Sequence, residues 1–343
     1  MKNVSETQRL EFELKPEFDV RYNNGAVNGS STSTPYNGIA SSHHHQQFGL
    51  NGDLRLKSDQ VDDLVSVFQN RDRLINAVHQ AHIHTALYSE EERRLAQLKP
   101  VDEAFIMQKL KNMMIPRPQL WADFAENLTK MIQQIIEFAK LVPGFLGLVQ
   151  EDQIMLLKAG AFQISILRMT QLYVMRTDHI LYGGVYLPIS FFSSEDTIEN
   201  QFMMDIFALV RQLCAYGLTE QELALFTAAL ESAKNIVDLA RIKQHVYLYG
   251  RNDELINRLE IAEMHKTYFD HLINELRLTH RNQIQELNDA LRQIMSILHN
   301  LAAKHTNLLA KFKKSSSSFT VDWPPLYKEL FAVDDQSLLM LTN

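Results

Sequence analysis

The sequence has a single cysteine, Cys214, among its 343 residues. One thiol cannot build an intramolecular disulfide framework, which favours a reducing compartment. No stretch is long and apolar enough to span a bilayer, because charged residues or glutamine interrupt every candidate. The polar, charged N-terminus also lacks the apolar segment of a signal peptide. These absences predict a soluble, intracellular chain rather than a disulfide-stabilised secreted one.

Other absences argue against nucleic-acid binding and against catalysis by this chain. Its net charge of −7 disfavours an electrostatic nucleic-acid surface. The sequence shows no nucleophile–base–orienter set, no glycine-rich phosphate loop and no metal-spaced acids, so we expect no enzyme. The acidic run Glu90-Glu91-Glu92 is interpreted as a solvated helix end. The 45% of apolar residues is ample for a large core.

Glycine and polar residues divide the chain into segments. Residues 1–58 hold five of the twelve glycines and the polar run Ser30–Pro35, a composition that predicts a mostly disordered hinge or linker. The His43-His44-His45 run within it is interpreted as a solvated tract, because no rigid surroundings would orient metal ligands. We expect one folded domain over 59–332 and a short tail over 333–343.

The remaining sequence is dominated by helical periodicity. Neither glycine nor proline occurs between Gly250 and Pro324, which leaves room for two long helices. Thr219 followed by Glu222 forms a capping box that opens another helix, and Pro143-Gly144 ends an earlier one. The predicted helices are an amphipathic first helix containing Leu74, Val78, Ala81 and Leu87, and helices over 123–141, 153–173, 221–239, 254–276, 283–313 and 325–331.

One β-hairpin is predicted, over Ile180–Leu187. Two short β-prone runs flank Gly183-Gly184 there, a dipeptide that suits a two-residue turn. The helix over 153–173 is apolar nearly all round, which indicates that other helices cover it on several sides. Together these patterns predict an all-α, multi-layer domain with one small hairpin.

Two groups of residues, far apart in sequence, carry a resemblance to a known family. The first is Phe138-Ala139-Lys140, Phe145, Leu148, Asp152-Gln153 and Leu156-Leu157-Lys158-Ala159-Gly160-Ala161, with Arg168-Met169 further on, and the second is Pro324–Phe331. The first resembles the core motif of nuclear-receptor ligand-binding domains, and the second resembles their activation helix. The subfamily most similar is the ROR-type orphan receptors, including the invertebrate hormone receptors of moulting.

The resemblance implies a fold, a location and a general activity. The expected fold is the three-layer antiparallel helical sandwich of these receptors, and the expected location is the nucleus. The expected activity is ligand-binding and transactivation in a transcription factor, through its activation function 2. A DNA-binding module of such a receptor needs eight zinc-binding thiolates. With one cysteine, this chain does not contain that module.

The same resemblance implies a site that recruits coactivators. A partner helix has unpaired N–H groups at one end and unpaired carbonyls at the other, so an acid and a base can hold its two ends. Composition alone favours ordinary solvated charges at these positions. The family instead implies LxxLL coactivators, and further partners in corepressors or another nuclear receptor. The predicted site residues are Lys140, Gln153, Lys158, Leu326, Glu329 and Leu330.

A histidine is predicted to hold the last helix in place. In ROR-type receptors a histidine in the context of His305 hydrogen-bonds the activation-helix tyrosine, here Tyr327, and the residue at the position of Phe331 packs on it. The alternatives are a buried histidine that is satisfied locally, and a shifted register in which His299 takes the role.

The resemblance also implies an interior pocket for a sterol-like lipid. Gln171 stands where the family commonly has arginine, which removes a charged anchor for an acidic or sulfated sterol. The alternative is that Phe162, Tyr173 and Tyr182 fill the space. The predicted lining residues are Ile135, Ile136, Phe162, Arg168, Met169, Gln171, Leu172 and Leu181.

A second class of function is a lipid- or haem-binding carrier or sensor. His305 or His299 could supply one axial ligand, but the helix over 123–141 offers no histidine or cysteine to face it. We therefore expect no haem and name no certain cofactor. A carrier would have no use for an exposed acid at the centre of an apolar last helix.

Overall fold

The computed structural model describes residues 70–99, 117–194, 196–232, 256–315 and 322–331. Within these ranges the chain forms the predicted antiparallel helical sandwich, with a small sheet at one edge. The predicted linker over 1–58, its three histidines and the tail over 333–343 lie outside the described ranges.

The last helix begins and ends where the sequence predicted it, at 325–331, whereas the helix Thr197–Ala215 was not predicted. The first helix ends at His84, so the prediction that it contains Leu87 was wrong, and the helix predicted over 153–173 ends at Met169, with Tyr173 in a strand. The helix Arg117–Leu141 begins earlier than predicted, since Pro118 is tolerated in a first turn, where an N–H group would have no partner. The elements are α1 (Arg71–His84), α2 (Glu90–Gln97), α3 (Arg117–Leu141), α4 (Gln150–Met169), β1 (Tyr173–Val174), β2 (His179–Tyr182), β3 (Val185–Pro188), α5 (Thr197–Ala215), α6 (Glu220–Glu231), α7 (Arg258–Thr279), α8 (Ile284–Ser315) and α9 (Pro325–Phe331), with 3₁₀ turns at Phe145–Gly147 and Ile189–Phe192.

The helix α4 lies at the centre of the domain. It packs against α3, α5, α6, α8 and α9, and its residues are buried on nearly every side from Gly160 to Arg168. This burial confirms the prediction made from its all-round apolar sequence. None of the helices in the described ranges is long and apolar enough to cross a membrane.

The predicted stop and start signals are present at α3 and α6. Gly144 has a φ of 91°, a left-handed conformation that glycine adopts without strain, and it lies just after the end of α3. At α6, the Thr219 hydroxyl accepts from the Glu222 N–H at 3.2 Å, and the Glu222 carboxylate accepts from the Thr219 N–H at 2.8 Å. The capping box is confirmed. The part of the predicted helix after Glu231 lies largely outside the described ranges.

The predicted hairpin is present, and a third strand joins it. β2 and β3 pair antiparallel around Gly183 and Gly184, which have φ values of 58° and 79°. Both positive angles suit a type I′ turn, where glycine costs least. β1 pairs with the free edge of β2, with Tyr173 opposite Ile180. A two-stranded ribbon leaves such an edge unpaired, and the chain that leaves α4 covers it.

A cluster of buried polar side chains joins α1, α4 and α6. Arg168 donates from Nη2 to the Thr85 hydroxyl at 3.0 Å and lies over the Phe138 ring at 5.2 Å. His82 and Glu231 are also buried, and within the described ranges neither ring nitrogen of the first nor carboxyl oxygen of the second has a hydrogen-bond partner. Unpaired buried polar groups cost stability, so the ionisation of this cluster matters for the domain.

Burial sets the charge state of the two unpaired groups. It raises the pKa of the Glu231 carboxyl to about 8, although attraction to Arg168 acts in the opposite direction. It lowers the pKa of His82 to about 3, and the positive charge of Arg168 adds to the same effect. Both side chains are therefore neutral in the folded protein at pH 7.

Glu231 makes the stability of the domain depend on pH. Its pKa is higher in the folded state than the ordinary value of 4.5, so the folded state binds the proton more tightly. The contribution to stability is complete below about pH 4.5 and is lost as pH rises to about 8. Glu231→Gln should therefore raise the free energy of unfolding at pH 7 by roughly 3 kcal/mol, and less at lower pH. Urea unfolding from pH 5 to 8.5 measures this.

The matched control for that titration is the exposed Glu260 on α7. Glu260→Gln should leave the free energy of unfolding nearly unchanged across the same range, because surface substitutions away from buried contacts have small effects on stability. A wild-type stability curve that runs parallel to that of Glu231→Gln would contradict the raised pKa.

Candidate functional site

The last helix, α9, packs on α3 and α4 with one side facing inward. Tyr327, Leu330 and Phe331 are buried, whereas Lys328 and Glu329 are exposed. Leu326 is partly buried against the core. Because inward residues recur three and four positions apart, a single helical face supplies them all. The arrangement leaves one carboxylate, that of Glu329, on the outer surface of the docked helix.

A hydrogen bond between His305 and Tyr327 lies beneath α9. It joins the His305 Nε2 and the tyrosine hydroxyl at 2.8 Å, and both side chains are almost fully buried. The Phe331 ring packs edge-on against the His305 imidazole with a centroid distance of 4.9 Å. The three residues predicted to hold the last helix are thus in mutual contact. His299, the alternative, lies on the exposed side of α8.

Aromatic rings surround the His305 imidazole on its other sides. Phe162 stacks on it at 4.3 Å with the two planes 10° apart, and Phe124 and Phe202 lie at 5.9 and 6.4 Å. Burial among these rings lowers the pKa of His305 to about 3. The imidazole is therefore neutral near pH 7, and its hydrogen bond to Tyr327 is one between uncharged groups.

A groove lies on the surface formed by α3, α4 and the turn between them, and α9 packs on the same two helices. Its lining includes Lys140 and Gln153, both predicted site residues, together with Ile136, Phe145, Gln150, Ile154 and Leu157. Mostly apolar walls with a few polar groups are typical of a surface that receives a partner's apolar side chains. The groove, Lys140 and the exposed face of α9 all lie on or beside the same two helices.

The charged and polar residues of the groove differ in how freely they can bind a partner. Lys140 Nζ is 2.7 Å from the Glu137 carboxylate, and its side chain is 36% exposed, so water still reaches it. Lys158 is exposed on α4. Gln153 is buried, with Nε2 donating to the Leu148 carbonyl at 2.8 Å, and its Oε1 has no hydrogen-bond partner among the residues that the structure describes. Gln153 therefore forms part of the groove floor rather than its rim.

Of the two polar residues predicted for an interior pocket, Arg168 faces another part of the protein. Arg168 turns toward Thr85 just after α1, in the polar cluster already described. Gln171 is partly buried, and its backbone carbonyl accepts a hydrogen bond from Arg93 Nη1 at 3.0 Å. The Arg168 guanidinium is thus already engaged by the protein.

The apolar residues predicted for the pocket fall into two places. Ile135 is fully buried in α3, and Leu172 and Leu181 are buried where the Leu181 N–H donates to the Leu172 carbonyl at 2.9 Å. Met169 is partly buried against the core. Ile136 instead lines the surface groove, because it is one helical position further round α3. Phe162 fills the space against His305.

The geometry does not fit haem. A haem iron needs an axial nitrogen at the edge of an open, flat slot. His305 Nε2 is occupied by Tyr327, and the face of the ring is covered by Phe162. Cys214 lies on α5, 3.6 Å from the Thr170 carbonyl. Within the described ranges no group of three or more metal-binding side chains comes together.

An aromatic cluster that was not predicted from the sequence extends the site outward from Tyr327. Trp323, just before α9, stacks on the Tyr327 ring at 5.4 Å with the planes 9° apart. Its other neighbours are Trp121 and Phe312, at 6.3 and 5.8 Å. The sequence did contain a signal for this cluster. Tryptophan is rare in the chain, which has two, and one of them, Trp323, directly precedes Pro324-Pro325.

Comparison with known proteins gives the family of this chain. A family model for the ligand-binding domain of nuclear hormone receptors matches residues 109–312. The chain is 33% identical over 268 residues to the probable nuclear hormone receptor HR3 of Drosophila melanogaster, which covers 77% of this chain and 50% of that protein. It is 32% identical over 220 residues to HR3 of Manduca sexta, covering 63% and 37%.

A vertebrate relative extends the comparison. Nuclear receptor ROR-beta of Homo sapiens is 28% identical over 347 aligned positions, covering 94% of this chain and 68% of that protein. The chain spans half or less of the length of the two HR3 proteins. The predicted resemblance to ROR-type receptors and their invertebrate relatives is confirmed, and the carrier alternative is set aside. The chain belongs to the family of nuclear hormone receptor ligand-binding domains, and within it is similar to the HR3 and ROR receptors.

Proposed function

We propose that this chain is the ligand-binding and transactivation part of a ROR-like nuclear receptor, which acts in the nucleus and recruits LxxLL coactivators. The coactivator helix would lie in the groove between α3 and α4, with α9 completing one end. Corepressors and a second nuclear receptor are the further partners that the family implies. DNA would be bound by a zinc module that this chain does not contain.

The observation that carries this proposal is the docked position of α9. Its apolar side is buried on α3 and α4, Glu329 is exposed, and Lys140 lines the groove between those two helices. Packing of α9 does not require this exposed carboxylate. A partner helix, in contrast, has complementary partial charges at its two ends.

The proposed binding mode follows from the chemistry of helix ends. Lys140 would donate to the unpaired carbonyls at the C-terminal end of a short partner helix, and the Glu329 carboxylate would accept from N–H groups at its N-terminal end. The apolar residues of the groove would receive the leucines between the two ends. Lys158, Leu326 and Leu330 would border the same groove.

Glu137 would affect how strongly Lys140 binds a partner helix. Its carboxylate holds Lys140 in an exposed ion pair three residues apart on one helix. Such pairs contribute little to stability, so the lysine can turn to a partner at small cost. The pair would also keep the Lys140 side chain close to α3 before a partner arrives.

The proposed mechanism is a shift in population between docked and undocked α9. Any ligand or packing that favours the docked state raises the fraction of molecules with a complete groove. By resemblance, the class of ligand would be a sterol-like lipid, with Ile135, Leu172 and Leu181 supplying apolar walls. In the present arrangement Phe162 and His305 are in direct contact, so protein side chains already support the docked helix from inside.

The charge pair predicts a specific loss of peptide affinity. Lys140→Ala and Glu329→Ala should each weaken binding of an LxxLL peptide by about 1–2 kcal/mol, the lower part of the range for hydrogen bonds to charged groups, because both side chains are exposed. Isothermal titration calorimetry measures the affinity, and thermal unfolding should show no change in either variant.

The matched control for Lys140 is Lys130, on the same helix and in a similar exposed pair with Glu126. Ten residues place it about 15 Å along the axis from Lys140. Lys130→Ala should bind the peptide as the wild type does. Equal affinity of all four proteins would rule out the charge pair, and failure of the wild type to bind any LxxLL peptide would rule out the proposed function.

The His305–Tyr327 bond predicts a coupled effect on the docked helix. Tyr327→Phe and His305→Phe each keep an aromatic ring and leave one buried polar group unpaired, which costs about 1–3 kcal/mol. Amide hydrogen exchange over residues 325–331 should speed up roughly tenfold in each. The double variant removes both polar groups, so it should lose little more than either single one.

Exchange over α6, residues 220–231, serves as the internal reference because α6 is remote from α9 in the described contacts. If the increases in exchange over 325–331 caused by Tyr327→Phe and His305→Phe add fully in the double variant, the two side chains do not act through one shared bond.

A further inference from the structure

A second set of contacts holds α9 at its entrance, on the side away from His305. Trp323 directly precedes the two prolines that begin the helix, and it is half-buried. One face of its ring lies on Tyr327, and its other close neighbours are the rings of Trp121 and Phe312, packed edge to face at 71° and 86°. Trp323 therefore cannot change position without breaking three aromatic contacts.

The orientation of Trp121 is fixed from the opposite direction. Its ring stacks on Phe312 at 5.2 Å with the planes 23° apart. Its Nε1–H donates to the Glu199 carboxylate at 2.8 Å. An indole with one face stacked and its N–H held by a carboxylate has little freedom to turn. The edge that it presents to Trp323 is set accordingly.

Glu199 is an unusual residue to find in this position. It lies in the first turn of α5 and is 8% exposed, yet its two oxygens are fully engaged. Arg117 Nε donates to it at 3.0 Å and the Ser194 hydroxyl donates at 3.0 Å, in addition to Trp121. Arg117 itself lies over the Phe312 ring at 5.4 Å. A buried carboxylate is tolerated when it is paired and hydrogen-bonded in this way.

These contacts connect four elements in one chain of neighbours. The carboxylate belongs to α5, the guanidinium and indole to α3, Phe312 to the end of α8, and Trp323 to the segment entering α9. Trp121 also meets the Phe124 ring at 6.0 Å, and Phe124 lies 5.9 Å from His305. The cluster therefore reaches α9 directly through Trp323 and Tyr327, and it also adjoins the rings around His305.

We propose that Glu199 is a positioning residue for the last helix: it orients Trp121, which with Phe312 holds Trp323 against Tyr327 and so raises the docked fraction of α9. This support adds to the His305–Tyr327 bond and acts on the face of the Tyr327 ring rather than on its hydroxyl. Its effect on coactivator affinity rests on the proposed function, but docking itself can be measured without any partner.

The test uses the full chain with 5-fluorotryptophan, because two tryptophans give two assignable ¹⁹F resonances. Glu199→Gln keeps the size of the side chain and removes the charge that Arg117 and Trp121 share. We expect the Trp323 resonance to move toward its position in the urea-denatured chain. Amide exchange over 325–331 should speed up about threefold, the worth of one aromatic pair.

The matched control is Asp178→Asn, which removes the carboxylate paired with Arg211 of the same helix α5 at 2.7 Å. Asp178 has no contact with α9 in the described residues, and asparagine tolerates its positive φ of 59°. This variant should change neither the Trp323 resonance nor exchange over 325–331. Trp121→Phe removes the indole N–H while keeping an aromatic ring, and it should reproduce the effect of Glu199→Gln. Combining the two should add little.

An unchanged Trp323 resonance in Glu199→Gln, or a change no larger than in Asp178→Asn, would overturn the proposal. If Glu199→Gln fails to fold, Trp121→Phe decides by the same two readouts. An LxxLL titration on the same samples keeps this result apart from the proposed function. If the wild type binds no peptide but Glu199→Gln still shifts the Trp323 resonance, the positioning role stands and the coactivator site is refuted.

Discussion

The position of the last helix depends on one buried, neutral imidazole. His305 is enclosed by aromatic rings and keeps a single hydrogen bond, to the Tyr327 hydroxyl. Burial in such surroundings disfavours the charged form, and protonation would place an uncompensated charge in the core. The neutral ring can stack on Phe162 and receive the edge of Phe331 at the same time. The packing of the interior around His305 therefore also determines where α9 lies.

Docking of α9 is supported from two directions that share Tyr327. From the inside, the imidazole of His305 meets the hydroxyl, and from the outside the Trp323 ring covers the phenol face. Each support is worth on the order of 1 kcal/mol, so neither holds the helix irreversibly. A helix held by several modest contacts has a docked fraction that ligands, partners and single substitutions can change. This is the property that a population-shift mechanism requires.

The interior also contains polar groups that reduce stability. Glu231, His82 and Arg168 meet where α1, α4 and α6 pack, and several of their polar atoms have no hydrogen-bond partner in the described part of the chain. Leucine at Glu231 would bury the same volume without the cost of desolvating a carboxyl group. The cluster lies away from α9, so it affects the stability of the whole domain rather than docking of the last helix. Glu199 differs from Glu231 because its carboxylate is buried but fully hydrogen-bonded.

The sequence by itself determined the local features of this protein. The bounds of α9, the Thr219–Glu222 box, the break at Gly144 and the Gly183-Gly184 turn all follow from interactions within a few residues, so periodicity and capping residues predict them. The partners proposed for Tyr327 and Lys140 came from resemblance to a family. Where Arg168 points, and that Ile136 faces the groove, depended on how the helices pack.

Only the tertiary structure brought Glu199, Trp121 and Trp323 together. Trp121 and Glu199 are 78 positions apart in sequence, and Trp323 is further from each of them. No local sequence pattern links the three residues. A glutamate in the first turn of a helix is favoured there by the helix dipole, which gives no hint of a distant indole. Side chains from separate helices meet according to the crossing of those helices, and that crossing is set by packing of the entire core.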